Sequence, residues 1–240
     1  LAALKTGADL VYTCVPKINV QATRAVSPNL IVIPLVDSKL TRGAVNKMLG
    51  QIPDDLDSAT IGMGLSIQDP EALKLLVKSL LDRDVRISLD ATALVNYILP
   101  LLSGKNVVVT PHAGEFKKMF GEAPPESKKT RITMVEKFAK EHSITILLKG
   151  QIDIISDGEK TYLNPTNTPG MTVGGTGDVL SGIIAGMLAR NRNTLESAVT
   201  GAYFNGLAGK MTQKKLGPHM TATDLLDALP IVMKSFDKIK

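Results

Sequence analysis

The residues best suited to carry chemistry form one glycine-rich stretch, GGTGD, at positions 174–178. This stretch directly precedes an amphipathic run with helical spacing, and glycine lets the backbone approach a ligand closely. A helix that begins there directs free N–H groups and the positive end of its dipole at the loop, an arrangement that binds phosphate. Asp178 adds a carboxylate that can take a proton from a hydroxyl beside a phosphoryl group. We therefore predict a phosphate loop followed by a base, and the loop residues are Gly174, Gly175, Thr176 and Gly177.

The GGTGD stretch alone also fits a tight turn that packs a helix against a sheet. No Walker A pattern (GxxxxGKS or GxxxxGKT) occurs in the chain, and no GxGxxG opens its first strand–helix unit. A nucleotide bound here therefore requires a fold of another class. The prediction then depends on which other residues reach the same place.

The elements that must position this loop alternate between short apolar strands and amphipathic helices. The clearest helix is Pro70–Arg83, in which leucines recur on one face and Asp69 is suited to cap the N-terminus. Strands that alternate with helices of this length indicate a mainly parallel sheet covered on both faces. The candidate strands are Asp9–Val15, Leu30–Val36, Ala59–Met63, Val85–Asp90, Asn106–Thr110 and Ile144–Lys149.

The alternation changes after the sixth candidate strand. Residues 151–156 and 159–164 flank Asp157-Gly158, a dipeptide typical of a tight hairpin turn. Small residues on the helix after the glycine-rich loop, Gly182 and Gly186 among them, predict close packing against another element. We find no repeat and no linker long enough to divide the chain, so we expect one domain over residues 1–240. The helices predicted after the hairpin are Asp178–Arg190, Thr194–Met211 and Thr221–Asp237.

Four further features fall at the predicted strand ends. Ligands of open parallel sheets bind beyond the carboxyl ends of the strands. Each feature alone has a simpler structural role, since glycines form turns, an aspartate caps a helix and a lone histidine is more often structural than catalytic. Their common position with the glycine-rich loop favours a ligand site. The features are Gly62–Leu65, Asp90, Thr110–Glu115 and Lys149-Gly150.

Composition limits the classes of protein that fit. The 240 residues carry a net charge of +5, are 44% hydrophobic and include no tryptophan. The lysines are scattered without interleaved aromatic residues, so we expect no nucleic-acid partner. No apolar span of membrane length and no secretory signal occur, so we expect no membrane partner and a cytoplasmic location. The single cysteine, Cys14, excludes a disulfide framework and is expected to be a small buried apolar side chain.

Several segments, taken in order, resemble those of a known family. They read ALKTGADLV, DATAL, TPHAGE, LLKG, NPT, GGTGDVLSGIIAGMLA, AYFNGLAG and TATDLLDALP. From Leu1 to Pro230 the chain is thus similar to the ADP- or ATP-dependent NAD(P)H-hydrate dehydratases of the ribokinase-like superfamily. The resemblance implies a three-layer α/β/α sandwich with a mainly parallel central sheet and a short antiparallel hairpin.

The resemblance also implies an activity and a set of residue roles. Such enzymes repair hydrated NADH or NADPH, because ADP or ATP phosphorylates the ring hydroxyl and loss of phosphate then restores the coenzyme. Matching motifs make Asp178 the base and a substrate contact, together with Gly64 and His112. Glu115 matches a glutamate that helps to order Mg²⁺ and water, and a homo-oligomer, a tetramer, is implied. The matching nucleotide-binding positions are Lys149, Gly150, Gln151, Ile152, Asp153 and Gly177.

Some positions separate the chain from its relatives. Vitamin kinases of the superfamily commonly read TPNxxE, whereas His112 replaces that asparagine here and Gly114 precedes the glutamate, which is the dehydratase form. The family's GPGLG, DADAL and NPTGN become GMGL, DATAL and NPTNT, and we expect Asn167 to take a left-handed backbone. The family's GxxxYxGA segment has no counterpart in the sequence. A small-molecule kinase and a nucleotide-binding module without catalysis stay open as alternatives, and a nucleic-acid binder is disfavoured.

Overall fold

The computed structural model describes residues 1–191 and 193–237, in which ten α-helices and eight β-strands occur. The strands are β1 (Tyr12–Pro16), β2 (Ile31–Leu35), β3 (Ser58–Ile61), β4 (Arg86–Leu89), β5 (Val107–Val109), β6 (Thr145–Leu148), β7 (Asp153–Ser156) and β8 (Thr161–Asn164). The helices are α1 (Ala2–Lys5), α2 (Val20–Val26), α3 (Arg42–Leu49), α4 (Pro70–Asp82), α5 (Leu99–Leu102), α6 (Ala113–Phe120), α7 (Lys128–His142), α8 (Thr176–Arg190), α9 (Thr194–Leu216) and α10 (Ala222–Lys234).

The main sheet has six strands in the order β3-β4-β5-β6-β7-β8. The strands β3 to β6 run parallel, with Ile87 opposite Val107 in the register of β4 and β5. Strand β7 pairs antiparallel with both β6 and β8. The turn between β7 and β8 contains Asp157 and Gly158, and the φ of Gly158 is +90°. The prediction of a mainly parallel sheet with a short antiparallel hairpin is confirmed.

Both faces of this sheet are covered, because neighbouring strand residues enter different apolar clusters. Val107 and Val109 pack with side chains of α4 to α7 on one face. Val108, which lies between them, packs with Leu180 and Ile184 of α8 on the other face. Alternate side chains of a strand point to opposite faces, so these contacts define three layers, helices on either side of a central sheet. The predicted α/β/α sandwich is confirmed.

Helix α8 also packs tightly against α1. A Cβ placed on Gly182 would lie 2.9 Å from the Ala2 Cβ, and one placed on Gly186 would lie 1.7 Å from the Thr6 Oγ1. Only glycine leaves room for this contact. The close packing predicted from the small residues of this helix is therefore confirmed.

Three details differ from the prediction. The first two strands form a separate parallel pair, β1-β2, and in the described residues a single isolated bridge, Leu40 with Ile67, joins their side of the molecule to the loop after β3. Helix α8 begins at Thr176 rather than Asp178, because Gly177 has no positive φ and fits a first helical turn. Cys14 is half-buried at the edge of the main core, and this burial raises the pKa of its thiol to about 11.

Across the described ranges, 1–191 and 193–237, we found no helix with the length and apolar character needed to span a membrane.

Candidate active site

The glycine-rich loop ends in a left-handed residue that turns the chain into α8. Gly175 has a φ of +94° and immediately precedes the helix. The Thr176 hydroxyl donates to the carbonyl oxygens of Met171 at 2.7 Å and Val173 at 3.1 Å, so this side chain points into the protein. A Cβ on Gly174 would meet nothing within 4 Å. The open face of the loop is therefore made of backbone, and the first N–H groups of α8 have no partner within the helix.

Asp178 lies in the first turn of α8, at the rim of the loop. The residue is exposed, yet partial desolvation of its carboxylate is the main cause that raises its pKa. The negative charge of Asp90 raises the pKa further, and the positive charge of Lys149 lowers it. A carboxylate with a raised pKa at a helix N-terminus is a reasonable proton acceptor beside a phosphoryl group.

A partly buried ion pair lies directly against the start of α8. Lys149 Nζ donates to Asp90 Oδ1 at 2.7 Å, and the Asp90 side chain is 2% exposed, whereas that of Lys149 is 20% exposed. A Cβ on Gly177 would lie 3.4 Å from Lys149 Nζ and 3.8 Å from Asp90 Oδ2. The absence of a side chain at Gly177 thus leaves the ammonium group and the helix N-terminus facing the same space. That pairing of a cation with free N–H groups suits a bound phosphate.

His112 and Glu115 form the N-terminal cap of α6. The His112 Nδ1 accepts from the backbone N–H of Gly114 at 3.0 Å and of Glu115 at 3.3 Å. Glu115 Oε2 accepts from the His112 N–H at 2.9 Å and lies 3.5 Å from Lys149 Nζ. Because Nδ1 is an acceptor, the proton of the neutral ring is on Nε2, and the ring itself is 60% exposed. The cap therefore holds an exposed imidazole beside the Lys149 cluster.

A buried carboxylate supports the segment that follows β6. Asp153 Oδ1 accepts from the Gly150 N–H at 3.0 Å, and Oδ2 accepts from the Asn164 amide at 2.9 Å. Burial raises the pKa of Asp153 despite these hydrogen bonds. Its side chain therefore supports the loop, while Gln151 is exposed and Ile152 is half-buried.

The turn after β8 differs from the expectation for Asn167. This residue has no positive φ, so the left-handed conformation predicted there is wrong. Its side-chain amide instead donates to the Gly150 carbonyl oxygen at 2.9 Å. The asparagine thus fixes the same loop by a side-chain contact, which glycine at this position would lack.

The loop after β3 is the remaining predicted element of the site. Gly64 is exposed, has a φ of +64°, and a Cβ there would meet nothing within 4 Å. Gly62 is packed against the backbone of Asp90, since a Cβ on it would lie 1.7 Å from the Asp90 carbonyl oxygen. The loop therefore joins the rim through Asp90, with Gly64 left open to solvent.

The structure brings four of the predicted residues into one series of close approaches. Gly177, Lys149, Glu115 and His112 are linked in that order. The side chains of Thr176 and Asp153 point away from the open face, and Asp153 supports the loop through its hydrogen bond with the Gly150 N–H. Asp90 was predicted as one of the strand-end features of the rim but was given no role in the site, and in the structure it is the ion-pair partner of Lys149. Its position on the same rim as Lys149 is the signal that could have predicted this pairing.

The acidic residues suit an indirect role in binding magnesium. Among the described residues, no three His, Cys, Asp or Glu side chains lie close enough to hold a metal ion by themselves. Magnesium in nucleotide sites takes one or two carboxylates and completes its shell with phosphate oxygens and water. Asp90 and Glu115 both lie within 3.5 Å of Lys149 Nζ, so two carboxylates border the space beside the glycine-rich loop. This arrangement fits Mg²⁺ that arrives with a nucleotide.

Two cavities are of interest for ligand binding. One, of about 410 Å³, adjoins the glycine-rich loop and is lined by Pro169, Thr172, Val173, Gln213, Pro218 and Met220, among others. The other, of about 460 Å³, lies at the carboxyl ends of β1 and β2, with Lys17 and Lys39 in its lining. Both cavities are large enough for parts of a nucleotide-sized ligand.

Comparison with known proteins identifies a family for the chain. A family model described as NAD(P)H-hydrate dehydratase matches residues 1–231. An ADP-dependent (S)-NAD(P)H-hydrate dehydratase of Nitrosopumilus maritimus is 68% identical over 239 residues, which are 100% of this chain and 83% of that protein. One of Cenarchaeum symbiosum with the same description is 64% identical over 240 residues, 100% of this chain and 84% of its own length.

Among solved structures, the chain is similar to a ribokinase-like superfamily protein of Enterococcus faecalis. The TM-score is 0.77 at 25% identity, over 99% of this chain and 81% of that one. The likeness agrees with the three layers described above, and the fold is ribokinase-like.

Proposed function

The chain belongs to the NAD(P)H-hydrate dehydratase family, and we propose that it repairs hydrated NADH and NADPH, with ADP as phosphoryl donor and residues 1–240 acting as one domain. The curated relatives described as ADP-dependent cover the whole chain at 68% and 64% identity, which supports both the reaction and the choice of ADP over ATP. The family match over residues 1–231 supports a single unit.

One observation carries the proposal at the level of chemistry. Asp178 follows immediately after Gly177, the residue whose missing side chain leaves Lys149 facing the N-terminus of α8. A base and a phosphate site are therefore one residue apart. A hydroxyl that hydrogen-bonds to Asp178 is placed beside a terminal phosphoryl group, as phosphoryl transfer requires.

The proposed reaction has two stages. Asp178 takes the proton of the ring hydroxyl as that oxygen attacks the terminal phosphorus of the nucleotide, and the bond from this phosphorus to the leaving nucleotide breaks. Backbone N–H groups of the loop stabilise the charge that develops on the phosphoryl oxygens. The ring C–O bond then breaks with its electron pair leaving on phosphate, the ring nitrogen lone pair assists, and loss of a ring proton restores the double bond. Phosphate is a far better leaving group than hydroxide, which gives the first stage its purpose.

We assign the site residues as follows. Lys149 and the segment Gly150–Asp153 hold the nucleotide, with Asp153 fixing the Gly150 backbone from below. Gly64 and the exposed His112 ring face the substrate. Glu115 and Asp90 would hold Mg²⁺ through water molecules, and the ion would neutralise phosphate charge. The 410 Å³ cavity beside the loop is suited to the base of the nucleotide.

We also propose a cytoplasmic homotetramer. NADH and NADPH are made and used in the cytoplasm, and exposed apolar side chains on and after the last two helices offer surface for association. They include Tyr203, Met211, Ile231 and Phe236, of which Phe236 is 53% exposed. Light scattering on the purified protein measures the mass, and a monomer would contradict this proposal.

The test is recovery of NADH absorbance from NADH hydrate with ADP or with ATP. We expect recovery with ADP, and the variant Asp178→Asn should lose about 10²- to 10⁴-fold in kcat, the usual contribution of a general base. Calorimetric titration should show that this variant still binds ADP. Asp55→Asn, the same change in an exposed loop, is the control. Recovery by neither nucleotide, or near-normal kcat in Asp178→Asn, would refute the function or the role of the base.

A further inference from the structure

The turn that follows β4 holds the loop that follows β3. The Thr92 hydroxyl lies 2.7 Å from the Gly62 carbonyl oxygen and 2.9 Å from the Leu65 carbonyl oxygen. A hydroxyl has one proton to donate, so this proton is shared between the two ends of a four-residue loop. We call residues Gly62–Leu65 the β3 loop. One side chain thus contacts both ends of it.

Backbone packing keeps the β3 loop against the same turn. Gly62 has a φ of +132°, and its Cα approaches the Asp90 carbonyl oxygen so closely that a Cβ would lie 1.7 Å from it. The Asp90 N–H donates to the Ile61 carbonyl oxygen at 3.0 Å, which fixes the end of β3 to the same residue. The first half of the β3 loop is therefore held by backbone contacts. The second half includes the open Gly64 and closes on itself through the Leu65 N–H and the Gly62 carbonyl oxygen at 3.2 Å.

The turn after β4 has an unusual backbone conformation just before Thr92, the residue that contacts the β3 loop. Ala91 has a φ of +49°, a left-handed conformation that is rare for alanine. Such residues persist only where the surrounding structure determines them, and they cluster at functional sites. The residue before Ala91 pairs with Lys149, and the residue after it holds the β3 loop. The bend therefore lets one short turn serve the nucleotide side and the substrate side.

We propose that Thr92 is a positioning residue that holds Gly64 in place for the substrate. The inference rests on the proposed function, in which Gly64 faces hydrated NADH or NADPH. Thr92 touches no reacting atom, and acts by fixing the two carbonyl groups that bracket Gly64. A threonine is neutral at all pH values, so the hold on the loop is independent of pH.

Three variants separate the hydroxyl from the shape of the side chain. Thr92→Val keeps the branched shape and removes the donor, whereas Thr92→Ser keeps the donor and removes the methyl group. Thr133→Val on α7 is the control, since its hydroxyl also bonds a backbone carbonyl oxygen, of Lys129 at 3.3 Å, on an exposed helix. All three should melt within a few degrees of the parent protein, which checks that the fold is intact.

Hydrogen exchange tests the hold on the loop without reference to any activity. Thr92→Val should speed amide exchange about 3- to 10-fold in a peptide covering residues 62–68, as expected for the loss of one hydrogen bond. Thr92→Ser and Thr133→Val should leave this exchange unchanged. Equal exchange in all variants would overturn the proposal.

Steady-state kinetics test the consequence for substrate binding. Thr92→Val should raise KM for NADH hydrate about 3- to 10-fold, while kcat and KM for ADP stay at parent values. Thr92→Ser should keep the KM for NADH hydrate at its parent value. An equal rise in both KM values would mean a general structural role and would overturn the proposal. A parent protein that fails to convert NADH hydrate would refute the proposed function, and the exchange result would then decide whether Thr92 holds the loop.

Discussion

Gly177 offers a substitution whose effects on stability and on activity should have opposite signs. It lies in the first turn of α8 without a positive φ, so alanine fits its backbone. The new Cβ would lie 3.4 Å from Lys149 Nζ and 3.8 Å from Asp90 Oδ2, which are ordinary contact distances. Alanine loses less backbone entropy than glycine in a helix, so Gly177→Ala should raise the free energy of unfolding by about 0.5–1 kcal/mol. For a chain of 240 residues this raises Tm by about 1–4 °C.

The same methyl group should obstruct the reaction. It would occupy the space between the N-terminus of α8 and the Lys149 ammonium group, where the transferred phosphoryl group is proposed to bind. A misplacement of about 1 Å in such a site can cost about 10²-fold in rate. We therefore expect kcat/KM to fall at least 10²-fold, which corresponds to about 2.7 kcal/mol of lost transition-state stabilisation.

Gly186→Ala is the matched control, the same change nine residues further along α8. Its Cβ would lie 1.7 Å from the Thr6 Oγ1 and 3.1 Å from the Ala3 carbonyl oxygen, so the contact with α1 must open. Overpacking of this kind costs about 1–3 kcal/mol, and Tm should fall while the folded protein keeps near-normal kcat/KM. Melting curves without ligand and initial rates with ADP and NADH hydrate measure both quantities. A lower Tm or an unchanged kcat/KM in Gly177→Ala would refute this account of Gly177.

Two pH predictions follow from the carboxylates. Because burial and the charge of Asp90 raise the pKa of Asp178, kcat should fall as the pH drops through that raised value. In kcat–pH profiles, Asp90→Asn should move this acidic limb to lower pH and Lys149→Met should move it to higher pH; unchanged limbs would contradict the assignment of the base. For stability, the raised pKa of Asp153 means that its contribution is present at low pH and is lost as the pH rises through the folded-state value. In denaturant titrations at several pH values, Asp153→Asn should remove this dependence on pH. It should also lower the free energy of unfolding by about 1–3 kcal/mol at neutral pH. The reason is that Gly150 and Asn164 donate to two different oxygens of Asp153, and an amide has one oxygen.

Features that depend on neighbouring residues could be predicted from the sequence. The predicted helix Pro70–Arg83 is observed as α4 (Pro70–Asp82), because apolar spacing and the Asp69 cap act within a few residues. The hairpin around Asp157-Gly158 and the glycine-rich turn before α8 are local in the same way. Pairing between strands is not local. An apolar strand has the same pattern whichever strand it joins, so the separate β1-β2 pair could not be predicted.

The direction of a side chain is also beyond a sequence pattern, and Asp90 illustrates why this matters for function. At a strand end, an aspartate can cap the following turn or point into a ligand site, and the sequence allows both. In the structure Asp90 makes no side-chain cap bond to the turn it precedes, although it stands at the capping position. Its carboxylate oxygen Oδ1 instead accepts a hydrogen bond of 2.7 Å from Nζ of Lys149, 59 residues away in the chain. Replacing a buried ion pair by apolar residues of similar size is often neutral or stabilising, so such a pair is weak evidence for a role in stability. A pair that forms in place of an available cap, and that borders the glycine-rich loop, is better explained by the chemistry of the site than by the stability of the turn.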